Sequence, residues 1–144
     1  MQTKIALGVA LAFTGLGLGC GHRPEERRPV PREYRAEFRG EWHKLGERWV
    51  DGAHDRDVIW VGAREGSYRR IMIVVEHSAL EMYDVTVHFA DGSSFSPATR
   101  HVFAANTRSH VIDLPGYRRA IHSVEFRYGN LPGGGRAEAE LWAE

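Results

Sequence analysis

The sequence is short of the residues that make cross-links, metal cages and membrane spans. It has one cysteine, Cys20, so no disulfide can form within the chain even in a compartment that permits one. Lysine is nearly missing too: Lys4 and Lys44 stand against seventeen arginines, a bias of the kind a GC-rich genome produces. Formal net charge is zero, so bulk electrostatics point neither to nucleic acid nor to an acidic membrane surface. The one sustained charge-free apolar run, Ile5 to Leu18, is fourteen residues long and too short for a permanent membrane span. No segment keeps a helical period beyond a turn or two.

Catalytic and cofactor signatures are missing as well. Ser93, Ser94, Ser96 and Ser109 lie in no G-x-S-x-G elbow, and Gly133 to Gly135 follow a strand pattern without opening a phosphate-binding helix. Eight histidines (His22, His43, His54, His77, His88, His101, His110 and His122) are scattered with no H-x-H or H-E-x-x-H spacing, which favours surface or packed histidines over zinc or copper ligands. Glu138 and Glu140 share one strand face, and cross-strand ion pairs with arginine explain them more simply than paired catalytic acids. The expectation is therefore no enzyme and no resident cofactor.

What is present begins with a leader. Lys4 supplies a positive start, the apolar run follows, and at Cys20 the chain turns abruptly to Gly21-His22-Arg23-Pro24 and charged residues. This resembles a bacterial lipoprotein signal, which implies cleavage before Cys20 and acylation of its thiol. One departure stands: Gly17 occupies the place three before the cysteine where that pattern usually has leucine. Gly17 and Gly19 also suit ordinary signal peptidase, which would leave Cys20 a free thiol in a secreted or periplasmic protein. With lipid on Cys20, several acyl chains anchor the protein stably, at about 0.8 kcal/mol per buried methylene. In a Gram-negative host, Gly21 in place of Asp directs such a protein to the outer membrane. Residues 1–19 then form the signal helix, 20–41 the lipidated cysteine with an extended linker, and 42–144 one domain. The linker carries Pro24, Pro29 and Pro31, and its arginines alternate with glutamates that cancel most of their field.

Composition in the body is globular, with 42% hydrophobic and 26% charged residues. Short period-two runs separated by Gly, Asp, Asn and Pro predict strands over residues 44–50, 57–61, 68–76, 80–89, 101–103, 109–114, 121–128 and 136–142. Tyr83, Val85, Val87 and Phe89 are expected on one face, with Asp84, Thr86 and His88 on the other. Ile71 to Val75 is apolar on both sides and reads as a central strand, and Asp91-Gly92 is a tight-hairpin signal. About eight strands at this spacing indicate an all-β, two-sheet antiparallel sandwich, jelly-roll or immunoglobulin-like.

Leu45-Gly46-Glu47-Arg48, Asp55-Arg56-Asp57, Tyr83 to Val87, Arg108 to Gly116 and Tyr128 to Trp142 resemble a group of bacterial secreted β-sandwich domains with no established activity. The likeness covers residues 44–142 and implies fold and export, but no site residues. From the residues themselves, two binding readings stand beside a plain structural role at the cell envelope. Asp51, Asp55 and Asp57 place three carboxylates in one loop, a candidate calcium site set against ordinary turn chemistry. Trp42, Trp49, Trp60, Tyr68, Tyr117 and Trp142 are aromatics that alternation does not place in the core, candidates for a glycan platform. An envelope protein partner is the further possibility, and a small envelope hydrolase the reading outside binding.

Overall fold

The computed structural model describes residues 41–144; the leader, Cys20 and the linker to residue 40 lie outside the described residues. The described residues form ten strands, β1 His43–Trp49, β2 Asp55–Trp60, β3 Arg70–Glu76, β4 Leu80–Phe89, β5 Ser94–Phe95, β6 His101–Phe103, β7 Thr107–Arg108, β8 Ile112–Asp113, β9 Ile121–Asn130 and β10 Glu138–Ala143. Among the described residues a single 3-10 turn, Ala63–Glu65, interrupts them.

All pairings between strands are antiparallel and fall into two sheets. Sheet A has the order β1-β10-β3, with β7 and β8 both on the far side of β3; sheet B has the order β2-β9-β4, with β5 and β6 both on the far side of β4. Counting each short pair as one broken strand gives eight positions, which alternate between the sheets along the chain except where β5 and β6 follow β4 within sheet B. That double Greek-key order is a jelly roll rather than an immunoglobulin sandwich. Of the predicted strand 109–114 only Ile112–Asp113 is strand, and β7 lies just before it; between them the Ser109 amide still donates to the Ile73 carbonyl at 2.8 Å, but the Ser109 hydroxyl, in place of its carbonyl, accepts the Ile73 amide at 3.0 Å.

Ile71, Ile73 and Val75 of β3 meet Leu80, Met82, Val85, Val87 and Phe89 of β4 and Val124, Phe126 and Tyr128 of β9 in one core. The predicted face of β4 is corrected at Tyr83. A bulge between Met82 and Asp84 inserts an extra residue, so the inward set passes from Met82 to Val85 and Tyr83 turns out. Its hydroxyl donates to the Ala53 carbonyl at 2.9 Å. At the opposite corner Gly46 faces Ile59: a Cβ there would lie 2.7 Å from Ile59 Cγ2. The Asp91-Gly92 turn forms as expected, with Gly92 at φ 86° and the Ser93 amide donating to Asp91 Oδ1 at 2.9 Å.

Candidate functional site

Alternation gives each sheet an outer face, and register makes each face a small grid. On sheet B, Arg56, Val58 and Trp60 of β2 stand beside Arg127, Glu125 and Ser123 of β9. These in turn stand beside Asp84, Thr86 and His88 of β4. The grid is open: Trp60 is 66% exposed. Two hollows that share Arg56 lie on this side. One, of about 450 Å³, is lined by Val58, Trp60, His88, His122 and Glu125; the other, of about 430 Å³, by His54, Asp55, Tyr83 and Arg127.

An aromatic group borders each hollow. Trp60 meets His122 edge-on with ring centroids 5.3 Å apart, and Tyr83 stacks on His54, also at 5.3 Å. Between them Arg56 grips Glu125 through Nε and Nη2, both at 2.8 Å. That pair holds the Glu125 carboxyl below its ordinary value, its bond to Arg56 prevailing over partial burial. The face thus offers fixed charge, ring surfaces and imidazoles to a polar ligand lying across the strands.

Sheet A presents the opposite picture. Lys44, Glu47 and Trp49 of β1 stand beside Trp142, Glu140 and Glu138 of β10, and these beside Met72, Val74 and Glu76 of β3. Glu76, Glu138 and Glu140 are 6%, 7% and 5% exposed, and Val74 is fully buried. The sequence placed Glu138 and Glu140 outward, which holds, and the partners seen among the described residues are a lysine and a histidine. Among the described residues, Lys44 pairs with Glu140 and Glu47, and His77 Nε2 lies 3.2 Å from Glu138. The Trp142 indole donates to Glu140 Oε2 at 2.9 Å.

Burial first, and then a hydrogen bond shared with Glu47, hold the Glu138 carboxyl above its ordinary value. Lys44 pulls Glu47 the other way. Burial opposes the Lys44 charge, but its bonds to Glu140 and Glu47 outweigh that and raise it. Among the described residues, potential metal-donor atoms converge in Glu76-His77-Glu138 and in Glu47-Glu138-Glu140. Sequence spacing could not show these groups, because β3 and β10 meet only through the fold.

Comparison with protein families matches residues 30–143 to a domain of unknown function, DUF2541. The chain belongs to this family. Curated proteins gave no match. Among solved structures, a chain from the infectious bursal disease virus Gx strain is similar over 71% of this chain and 30% of its own, at 9% identity and a TM-score of 0.38. The present chain therefore spans under a third of that one, and a likeness at this level carries no argument.

Within the DUF2541 domain the three aspartates do not form one loop. Asp55 and Asp57 belong to β2. Asp51 Oδ1 pairs with Arg136 at 2.6 Å, Asp55 accepts the Asp51 and Arg56 amides, and Asp57 accepts the buried Tyr128 hydroxyl at 2.7 Å. Burial, then the Asp57 carboxylate, push that hydroxyl far above a tyrosine's ordinary range. The candidate aromatics also separate. Tyr68 is in the core, Trp60, Trp49 and Tyr117 are exposed, and Trp49 stacks on His77 at 4.8 Å. Trp42 lies beneath Arg70.

Proposed function

We propose that the DUF2541 domain is a non-catalytic binding module exported to the cell envelope, tethered through lipid on Cys20, and that it takes a glycan along the outer face of sheet B. The observation that carries the glycan reading is Trp60: a large ring, two-thirds exposed, beside hollows where Arg56, Glu125, His88 and His122 converge. A sugar ring stacks on an indole face while its hydroxyls bond to charged and imidazole groups, and an open, shallow face suits a chain of sugars. From Arg56 to Trp60 the strand advances about 13 Å, room for more than one sugar unit.

The non-catalytic part is supported by the serines. Ser93 bonds Asp91 within its own turn and is also bonded by Arg119, and Ser109 bonds the backbone of Ile73 and His110 between β7 and β8, so each is engaged in local structure. The engaged oxygens of Asp51, Asp55 and Asp57 support turn and strand-end roles over a calcium site. Export and the anchor rest on the leader and on Cys20.

Retention on insoluble peptidoglycan and cell-wall polysaccharide tests the ligand. The protein should be retained, and Trp60→Ala should weaken retention about 30-fold, the effect of losing an aromatic hot spot worth about 2 kcal/mol, with thermal stability unchanged. No retention of the unaltered protein would sink the glycan reading. Cys20→Ser should shift the protein from the membrane to the soluble fraction; an unchanged distribution would remove the lipid anchor.

A further inference from the structure

Three of the histidines that spacing leaves scattered come together on the outer face of sheet B. His88 from β4 and His122 from β9 line the hollow beside Trp60, and His54, from the turn before β2, lines the hollow beside Tyr83. His54 and His122 are exposed and His88 is half-buried, so protons reach all three from solvent. Histidine is the side chain that gains its charge as pH falls from about 8 to about 5. The charge of this face is therefore set by pH.

Its sign follows from the fixed groups around the imidazoles. Among the described residues, Arg56 and Arg127 stand with Asp55, Asp84 and Glu125 on the three strands of the grid, two positive charges against three negative. Arg56 is committed to Glu125, whose two oxygens it holds at 2.8 Å, and Arg127 stands 3.8 Å from the same carboxylate. Both Asp55 oxygens accept backbone amides. The charges at the borders offset one another: Asp91 pairs with Arg119 at 3.0 Å, Glu81 and Arg100 act with opposite sign on Tyr83, and Asp57 and Arg48 do so on Tyr128. With neutral imidazoles the face carries one net negative charge, and with all three protonated it carries two net positive charges.

We infer that the glycan read from Trp60, on which this step rests, is an anionic polysaccharide bearing carboxylate or phosphate groups, and that protonation of His54, His88 and His122 switches its binding on as pH falls. The imidazoles stand where the sugars would lie. His122 meets the Trp60 ring edge-on at 5.3 Å, so a charged group on the rim of a pyranose stacked over the indole comes beside an imidazole. His54 repeats the arrangement on the Tyr83 ring, also at 5.3 Å. Both hollows share Arg56, which sets successive sugar units on either side of it. Near neutral pH the surplus carboxylate repels such a chain; in mild acid the cations outnumber the carboxylates and draw it in.

Isothermal titration of the full-length protein in detergent with polygalacturonate, at fixed ionic strength, reads the switch. Affinity should be at least about tenfold higher near about pH 5.5 than near about pH 7.5, and added salt should lower it. The triple substitution His54→Gln, His88→Gln, His122→Gln should reduce the difference to under about twofold with thermal stability unchanged, and each single substitution should reduce it in part. His43→Gln with His110→Gln, on β1 and in the stretch between β7 and β8, should leave it intact. Phosphomannan run beside polygalacturonate separates the two sources of charge, the tighter ligand naming the group. Equal affinity at the two pH values, or a difference that survives both the triple and the single substitutions, overturns the inference. Retention of a neutral wall polysaccharide through Trp60 with neither anionic polymer bound overturns it too, and leaves the glycan reading standing. Polyglutamate bound as tightly as polygalacturonate would remove the sugar as occupant, and the glycan reading with it.

Discussion

The two outer faces of this sandwich are built by the same alternation and meet opposite fates. On sheet B the middle row is Val58, Glu125 and Thr86, partly open to water. On sheet A the corresponding row is Glu47, Glu140 and Val74, and the last two are almost wholly buried. A face with charges left open can recognise a ligand, whereas buried carboxylates demand internal partners and are costly unless those partners are in place. The difference teaches that outward pointing and solvent exposure are separate properties. Alternation decides the first; what lies over the sheet decides the second.

The largest test sets one valine against the other. Val74→Asp places another carboxylate among Glu47, Glu76, Glu138 and Glu140 in a dry position, and it should cost at least about 3 kcal/mol. The thermal midpoint should then fall by at least about 10 °C. Val58→Asp, at the matching place on sheet B, should cost under about 1 kcal/mol because water still reaches it. Paired thermal melts decide the matter; equal losses at both sites would mean that the faces do not differ in the way their burial indicates.

Much of this was legible in the sequence. The strand 80–89 and the strand 101–103 coincide with β4 and β6, and the doubly apolar Ile71 to Val75 lies in the interior strand β3. Period-two patterning records burial on one side, and those segments have it. Tyr83 was misplaced because a bulge breaks the period without leaving a turn residue as a sign. The two-residue β5 was missed because two residues carry no period. The sites were less legible. Tyr68 and Trp60 look alike in sequence, yet one closes the core and the other stands in solvent, since a strand end offers too few neighbours to fix its face. His77 gave no spacing signal because its companion Glu138 arrives from β10, at the far end of the chain.

A second test sharpens the comparison through pH. The Glu138 carboxyl titrates above its unfolded value, by burial first and then by the bond shared with Glu47. Its contribution to stability is therefore fully present below the unfolded pKa and lost as pH rises through the folded one. Glu138→Gln keeps the shape and removes that loss. Melts of the variant and the unsubstituted protein should agree near pH 4, and the variant should be more stable by about 1 kcal/mol near pH 8. A variant less stable at both pH values would show that Glu138 works as a charged partner, not as a buried acid.

The smallest expected effect lies where the chain passes from one face to the other, between β1 and β2. Calcium binding there would need Asp51, Asp55 and Asp57 to turn their oxygens to one point. Each already has a use: Asp51 holds Arg136, Asp55 caps backbone amides, and Asp57 takes the Tyr128 hydroxyl from the core. Recruiting Asp57 would strand that hydroxyl, a cost of about 1–3 kcal/mol before any ion is bound. Millimolar calcium should accordingly move the thermal midpoint by less than about 1 °C, and chelator should leave it in place. A rise of several degrees that Asp57→Asn abolishes would instead establish an ion between the faces and give the crossing a structural role that its hydrogen bonds do not require.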